Sequence, residues 1–170
     1  LFKDYLDYDD EEMLSLMWDT TDLDGNRATA NAMLDEAGYK DIDGDGMREM
    51  PDGSKIEWKA MCPAGWSDWN MSLEILSESA KAIGLNIITD FPEWSVVQPK
   101  MYSGDFDIVM WSPFPNPSVA NPWRWAWTPL YSKGVPEFGQ SAYRNFNRYH
   151  NDRVDELLDQ AAVSKDKDEQ

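Results

Sequence analysis

A chain of 170 residues with 42% hydrophobic and 13% aromatic side chains has the apolar material for one packed domain, and its composition is not that of a disordered segment. Thirty-two acidic residues against 15 basic ones give a net charge of −17, which repels nucleic acid and anionic membranes and excludes both as partners. Cys62 is the only cysteine, so neither an internal disulfide nor a cysteine-built zinc site can form, and no run of about 18 apolar residues is present to span a bilayer.

The acid is unevenly spread. Residues 1–55 carry 16 acidic and 5 basic side chains, a net of −11, whereas residues 56–150 carry 9 and 7, a net of −2. The near-neutral middle also holds most of the large aromatics, so it either packs or binds something uncharged. The chain opens at Leu1 without a start methionine or a signal peptide and stops in the charged run Lys165 to Gln170, so a fragment cut at both ends is expected.

Residues 1–20 are acidic and spotted with aromatics, and no element is assigned to them. Asp22 or Asp24 can cap a helix over about Arg27–Ala37, whose Ala30, Met33, Leu34 and Ala37 fall at helical spacing before the left-handed stop at Gly38. A Gly/Asp loop follows from Asp41 to Gly53. Ile56–Met61 alternates apolar with polar and reads as a strand with one buried face, which should take Trp58 into the core. After the break at Pro63-Ala64-Gly65, a helix from about Asp68 carries Leu73, Leu76, Ala80 and Ile83 on one stripe and closes at Gly84. Leu85–Ile88 is a second strand, Glu93–Tyr102 a short helix with Pro99 at a bend or an end, and Phe106–Trp111 a third strand. From Ser112 to Tyr149 six prolines predict an irregular but packed Pro/Trp-rich excursion, and Asn151 starts a last helix with Val154, Leu157, Leu158 and Ala161 on one side. Strand–helix–strand–helix–strand is the crossover unit of parallel α/β folds.

The sharpest local motif is the stretch Asp41 to Asp52. Calcium takes six to eight oxygens, and an EF-hand loop supplies them from positions 1, 3, 5, 7, 9 and 12. Here those positions are Asp41, Asp43, Asp45, the Met47 carbonyl, Glu49 and Asp52, with Gly46 at the sharp turn. Asp52 is shorter than the usual bidentate Glu, and a strand follows where a helix would. The alternative is a tight turn in which the Asp side chains bond local amides. A bound Ca2+ would be structural, not catalytic.

Seven of the nine tryptophans lie between Trp66 and Trp127, several just after predicted strands. Ligands of open α/β sheets sit beyond the carboxyl ends of the strands, and indole faces there suit uncharged rings such as sugars. The candidate ligand contacts are Trp66, Trp69, Trp111, Asn116, Trp123 and Trp125; because Trp123, Trp125 and Trp127 alternate, one or two of them should pack and the remainder face a cleft. Catalytic sets are thin. His150 is the sole histidine, there is no Gly-x-Ser-x-Gly elbow and no phosphate-binding glycine loop, and nothing singles out one carboxylate pair for sugar hydrolysis. The chain is therefore read as a binder and not an enzyme.

Four stretches, in order, carry a resemblance. Ala32-Met33-Leu34-Asp35-Glu36-Ala37-Gly38-Tyr39 with Asp43-Gly44-Asp45-Gly46-Met47-Arg48 and Pro51-Asp52-Gly53 comes first; then Lys81-Ala82-Ile83-Gly84-Leu85; then Ser103-Gly104-Asp105-Phe106-Asp107-Ile108; then Asn151 to Ala161. Together they resemble the family 5 extracellular solute-binding proteins of ABC transporters, which include oligopeptide and dipeptide binders. The resemblance implies a periplasmic-binding-protein-like lobe, here residues 1–170 as a partial C-terminal lobe. The whole would be two-lobed and monomeric at full length. It would lie outside the cytoplasmic membrane, free or lipid-anchored, and present its closed form to an ABC permease. Pro63-Ala64-Gly65-Trp66-Ser67-Asp68-Trp69 looks like the sugar-binding branch, so an oligosaccharide, β-linked by preference, is the expected ligand and an oligopeptide the alternative. Outside transport, a carbohydrate-active enzyme fragment or a calcium-dependent carbohydrate-binding module would share the Trp and Asp features.

Overall fold

The structure, a computed structural model, describes residues 21–112 and 122–164. The chain divides into two compact units, one made of residues through Ile56 together with Glu78–Asn86, the other of Glu57–Ser77 together with residues from Ile87 onward.

The first unit holds helix α1 (Leu23–Glu36). Asp22 is its N-cap and accepts from the Gly25 amide at 2.9 Å, which starts the helix earlier than the apolar spacing indicates. Gly38, at φ +89°, supplies the left-handed stop. The chain then folds back through single antiparallel bridges from Glu49 to Lys40 and to Lys55. Arg48 ties the unit together. Its guanidinium donates to the Tyr39 carbonyl just past α1, to Ile83 O at 2.9 Å, to Asp35 at 2.6 Å and to Asn31 at 2.9 Å. A cation at two helix ends satisfies carbonyls that have no partner within the helix.

The second unit is built on a parallel sheet. Its strands are β1 (Trp58–Met61), β2 (Ile87–Asp90) and β3 (Ile108–Val109), in the order β2-β1-β3. Trp58 pairs with Ile87, and Ala60 pairs with Thr89 on one side and Ile108 on the other. The connections are α2 (Ser67–Lys81), whose last residues belong to the first unit, and α3 (Trp94–Ser103). The three strands run the same way, as their helical crossovers require. Ala60, Met61, Cys62, Leu73, Ile87, Val97 and Met101 form the buried core of this unit. Each large member contributes about 1.5–3 kcal/mol by leaving water. Trp58 is only half-buried, because the strand is buried throughout only from Ala60 onward.

Pro99, expected at a bend or an end, lies inside α3, which runs on to the left-handed Gly104. One expectation is corrected here: the Pro-rich stretch is not wholly irregular, since Pro122–Leu130 forms helix α4. Pro122 occupies its first position, where a missing N–H costs nothing, and Pro129 falls one residue before its end. Helix α5 (Asp152–Val163) starts where predicted. Its N-cap Asn151 accepts from the amides of Arg153 and Val154, Leu158 is buried, and Leu157 stays exposed.

Candidate ligand-binding site

In the strand order β2-β1-β3 the chain leaves β1 toward β2 and then returns across β1 to β3. The reversal falls between β1 and β3, and open α/β sheets bind ligands beyond the carboxyl ends of their strands at such a switch point. Each strand delivers an indole to that end within a few residues: Trp66 after β1, Trp94 after β2 and Trp111 after β3. Trp69 adds a fourth from the first turn of α2.

The four rings form one cluster with Trp111 in contact with every other member. Its centroid lies 4.6 Å from Trp94 and 5.2 Å from Trp66, with interplanar angles of 15° and 26°. Trp69 meets Trp66 edge-on at 5.1 Å and Trp111 edge-on at 6.4 Å. Stacked and edge-to-face pairs at these separations are the favoured geometries of aromatic quadrupoles. Trp66 is the most open of the four, 37% exposed, and offers the cluster's accessible ring.

The loops that carry these rings are fixed by backbone bonds. The Cys62 amide donates to Asp90 O at 3.2 Å and the Ala64 amide to Pro92 O at 2.9 Å, so the turns after β1 and β2 are stitched together. Gly65, at φ +82°, makes the turn into α2, and Asn70 returns its side-chain amide to Pro63 O at 3.1 Å. Beneath them Cys62 is fully buried; burial, with the Asp68 carboxylate adding to it, pushes its thiol up and keeps it protonated. The wall so built is aromatic and rigid, suited to stacking on an uncharged ring.

Of the residues read from sequence as ligand contacts, the structure brings Trp66, Trp69 and Trp111 together. Trp94 was missed, although it follows β2 just as Trp66 and Trp111 follow their strands. Trp123 has a packing role instead. On α4 it lies one turn from Trp127, with ring centroids 5.5 Å apart, and its indole N–H donates to Leu158 O of α5 at 2.7 Å. Arg144 lies over the Trp127 ring at 4.5 Å and bonds the Tyr131 carbonyl, which fixes this second aromatic group in place. Trp125 falls on the other side of α4 and is 41% exposed. Asn116 lies outside the described residues. A separate polar groove of about 430 Å³, lined by Lys59, Asp90, Lys100 and Asp107 among others, includes none of the indoles.

Of the donors read from the Asp41–Asp52 spacing, Asp41, Asp43 and Glu49 bring carboxylate oxygens within 4.8 Å of one another. Asp41 accepts from the amides of Gly44 at 2.7 Å and Gly46 at 3.0 Å, and Glu49, buried, accepts from Ile42 at 2.8 Å. Asp45 accepts from the Met47 amide at 2.8 Å. Asp52 is turned to the Ser54 amide and hydroxyl, whose hydrogen bonds hold its carboxyl below the ordinary value. Lys55 sets its ammonium 2.9 Å from Asp43 and 2.8 Å from Asp45. These amide bonds are those of a tight turn, with Lys55 as an internal cation.

Comparison with known proteins agrees with the fold. The family model described as bacterial extracellular solute-binding proteins, family 5 Middle, matches residues 3–134. The oligopeptide-binding protein AppA of Bacillus subtilis is 32% identical over 98 residues, 55% of this chain and 18% of that protein. A periplasmic oligopeptide-binding protein of an oligopeptide ABC transporter from Thermotoga maritima, solved with mannohexaose bound, superposes with a TM-score of 0.76 at 31% identity, over 84% of this chain and 26% of that one. AppA bound to a nonapeptide superposes with a TM-score of 0.65 at 26% identity, over 83% and 26%. The chain thus spans about a quarter of the length of these solved relatives. It belongs to the family 5 extracellular solute-binding proteins of bacteria.

Proposed function

We propose that this chain supplies the C-terminal-lobe wall of a cleft that captures an oligosaccharide, β-linked by preference, outside the cytoplasmic membrane for delivery to an ABC permease. The observation that carries this reading is the set of four indoles at the carboxyl ends of three parallel strands. A sugar ring stacked on Trp66 would be desolvated between this wall and a second lobe. Its binding energy would then stabilise the closed form that the permease recognises. The mannohexaose-bound relative supports a sugar ligand. As a member of a solute-binding family the chain is a binder, not an enzyme. The whole protein would act as a monomer, free or held by a lipid anchor.

An oligopeptide is the second reading, favoured by the likeness to AppA. Peptide ligands are gripped largely through main-chain pairing, which leaves four clustered indoles without a task. Titrating the intact protein with cello-, xylo- and manno-oligosaccharides, and separately with di- to nonapeptides, while following tryptophan fluorescence separates the two. Saturable change with sugars alone is the expected result; saturable change with peptides alone would replace the sugar by a peptide.

A further inference from the structure

Asp43-Gly44 and Asp45-Gly46 place two aspartyl–glycyl bonds side by side in an exposed loop. Among aspartyl bonds these are the most prone to succinimide formation, because glycine puts no side chain in the way of its own amide nitrogen. In that reaction the glycine nitrogen attacks the aspartate Cγ and an N–C bond forms. The amide proton and the hydroxyl of the protonated carboxyl leave together as one water. A second water then reopens the ring; opening at the backbone carbonyl leaves isoaspartate, with the chain rerouted through Cγ. No oxidant or cofactor enters. Two things are needed: a free glycine amide, and a carboxyl group that can turn toward it and be protonated so that water can leave.

Both needs are blocked twice over in this loop. The two nucleophiles are held by one side chain, the Gly44 amide by Asp41 Oδ1 at 2.7 Å and the Gly46 amide by Asp41 Oδ2 at 3.0 Å. The two electrophiles are turned elsewhere: Asp43 Oδ1 accepts from the Asp45 amide at 3.1 Å, and Asp45 Oδ1 from the Met47 amide at 2.8 Å. Their remaining oxygens share the Lys55 ammonium, at 2.9 Å and 2.8 Å. The ammonium so anchors both carboxyls away from the glycine amides.

We propose that Asp41 and Lys55 guard this loop against its own chemistry, and that Asp43 and Asp45 become isomerisation sites when either guard is lost. One side chain withholds both nitrogens and the other ties down both carboxyls.

The test ages the intact protein at weakly acidic pH and physiological temperature in ¹⁸O-water, then maps isoaspartate and ¹⁸O uptake by electron-transfer mass spectrometry. Wild type is compared with Asp41→Ala, Lys55→Met and a free peptide of residues 40–56. The wild-type loop should isomerise at least tenfold more slowly than the peptide. Asp41→Ala should recover at least fivefold of that difference at both positions, and Lys55→Met, which frees both carboxyls to turn, should raise the rate at both at least twofold. Asp24-Gly25 and Asp52-Gly53 in the same digest report general unfolding: rates raised only at 43 and 45 support the guard. A wild-type loop as fast as the peptide, an Asp41→Ala loop no faster than wild type, or equal acceleration at all four bonds overturns it.

Discussion

Replacing Trp111 by alanine removes a ring that, like Trp66, touches every other indole of the site. Three aromatic pairs go with it, at centroid separations of 4.6, 5.2 and 6.4 Å. At about 0.5–1.5 kcal/mol for each pair beyond its burial, the cluster would lose about 1.5–4.5 kcal/mol. A double-mutant cycle isolates one of these terms. Wild type, Trp66→Ala, Trp111→Ala and the double variant are unfolded in urea and followed by circular dichroism, which does not depend on the rings removed. If the Trp66–Trp111 stack at 5.2 Å contributes as drawn, the coupling should be about 0.5–1.5 kcal/mol. Losses that add to within about 0.3 kcal/mol would mean that the rings do not cooperate, and the idea of a preassembled wall would be refuted.

Two further outcomes follow from single side chains. Arg48→Met should destabilise the protein by about 3 kcal/mol in the same urea assay, since it strands the Tyr39 and Ile83 carbonyls at two helix ends; Arg48→Lys should restore little, because an ammonium cannot reproduce the fork. Asp155 is buried, and burial opposes its ionisation, but the hydroxyl and amide of Ser132 outweigh this and hold its carboxyl below the ordinary value. A carboxyl lowered on folding stabilises fully above its unfolded pKa, about 3.9, and loses that contribution as pH falls through the folded value. Asp155→Asn should therefore flatten the acid limb of a stability–pH profile while lowering stability at neutral pH; an unchanged acid limb would assign that limb to other carboxyls.

Much of this was legible in the sequence because the relevant signals are local. Gly38, Gly84 and Gly104 end their helices at positive φ, and Asp22 and Asn151 cap theirs. The alternation from Ile56 gives β1 and hence the parallel sheet. Trp66, Trp69 and Trp111 could be placed together because ligand sites in parallel sheets follow from strand direction. Trp94 obeys the same rule, but as the first residue of α3 it reads as part of a helix. Helix α4 was hidden by its prolines, which are tolerated at Pro122 and near the end at Pro129. Without that helix, Trp123, Trp125 and Trp127 look like alternating strand positions, when in fact Trp123 and Trp127 share one face and α5 takes the Trp123 N–H. The calcium spacing is a weaker kind of signal. Spacing fixes which residues carry oxygen but not where each carboxylate turns, and here the loop's own amides and Lys55 engage several of them.

Calorimetric titration of the intact protein with a β-linked oligosaccharide, repeated for Trp66→Ala and Trp125→Ala, tests the sugar-binding wall most directly. Trp66→Ala should weaken binding at least tenfold, equivalent to about 1.4 kcal/mol, while Trp125→Ala leaves it within twofold. Equal affinity in all three proteins, or heat from peptides and none from sugars, would contradict the account.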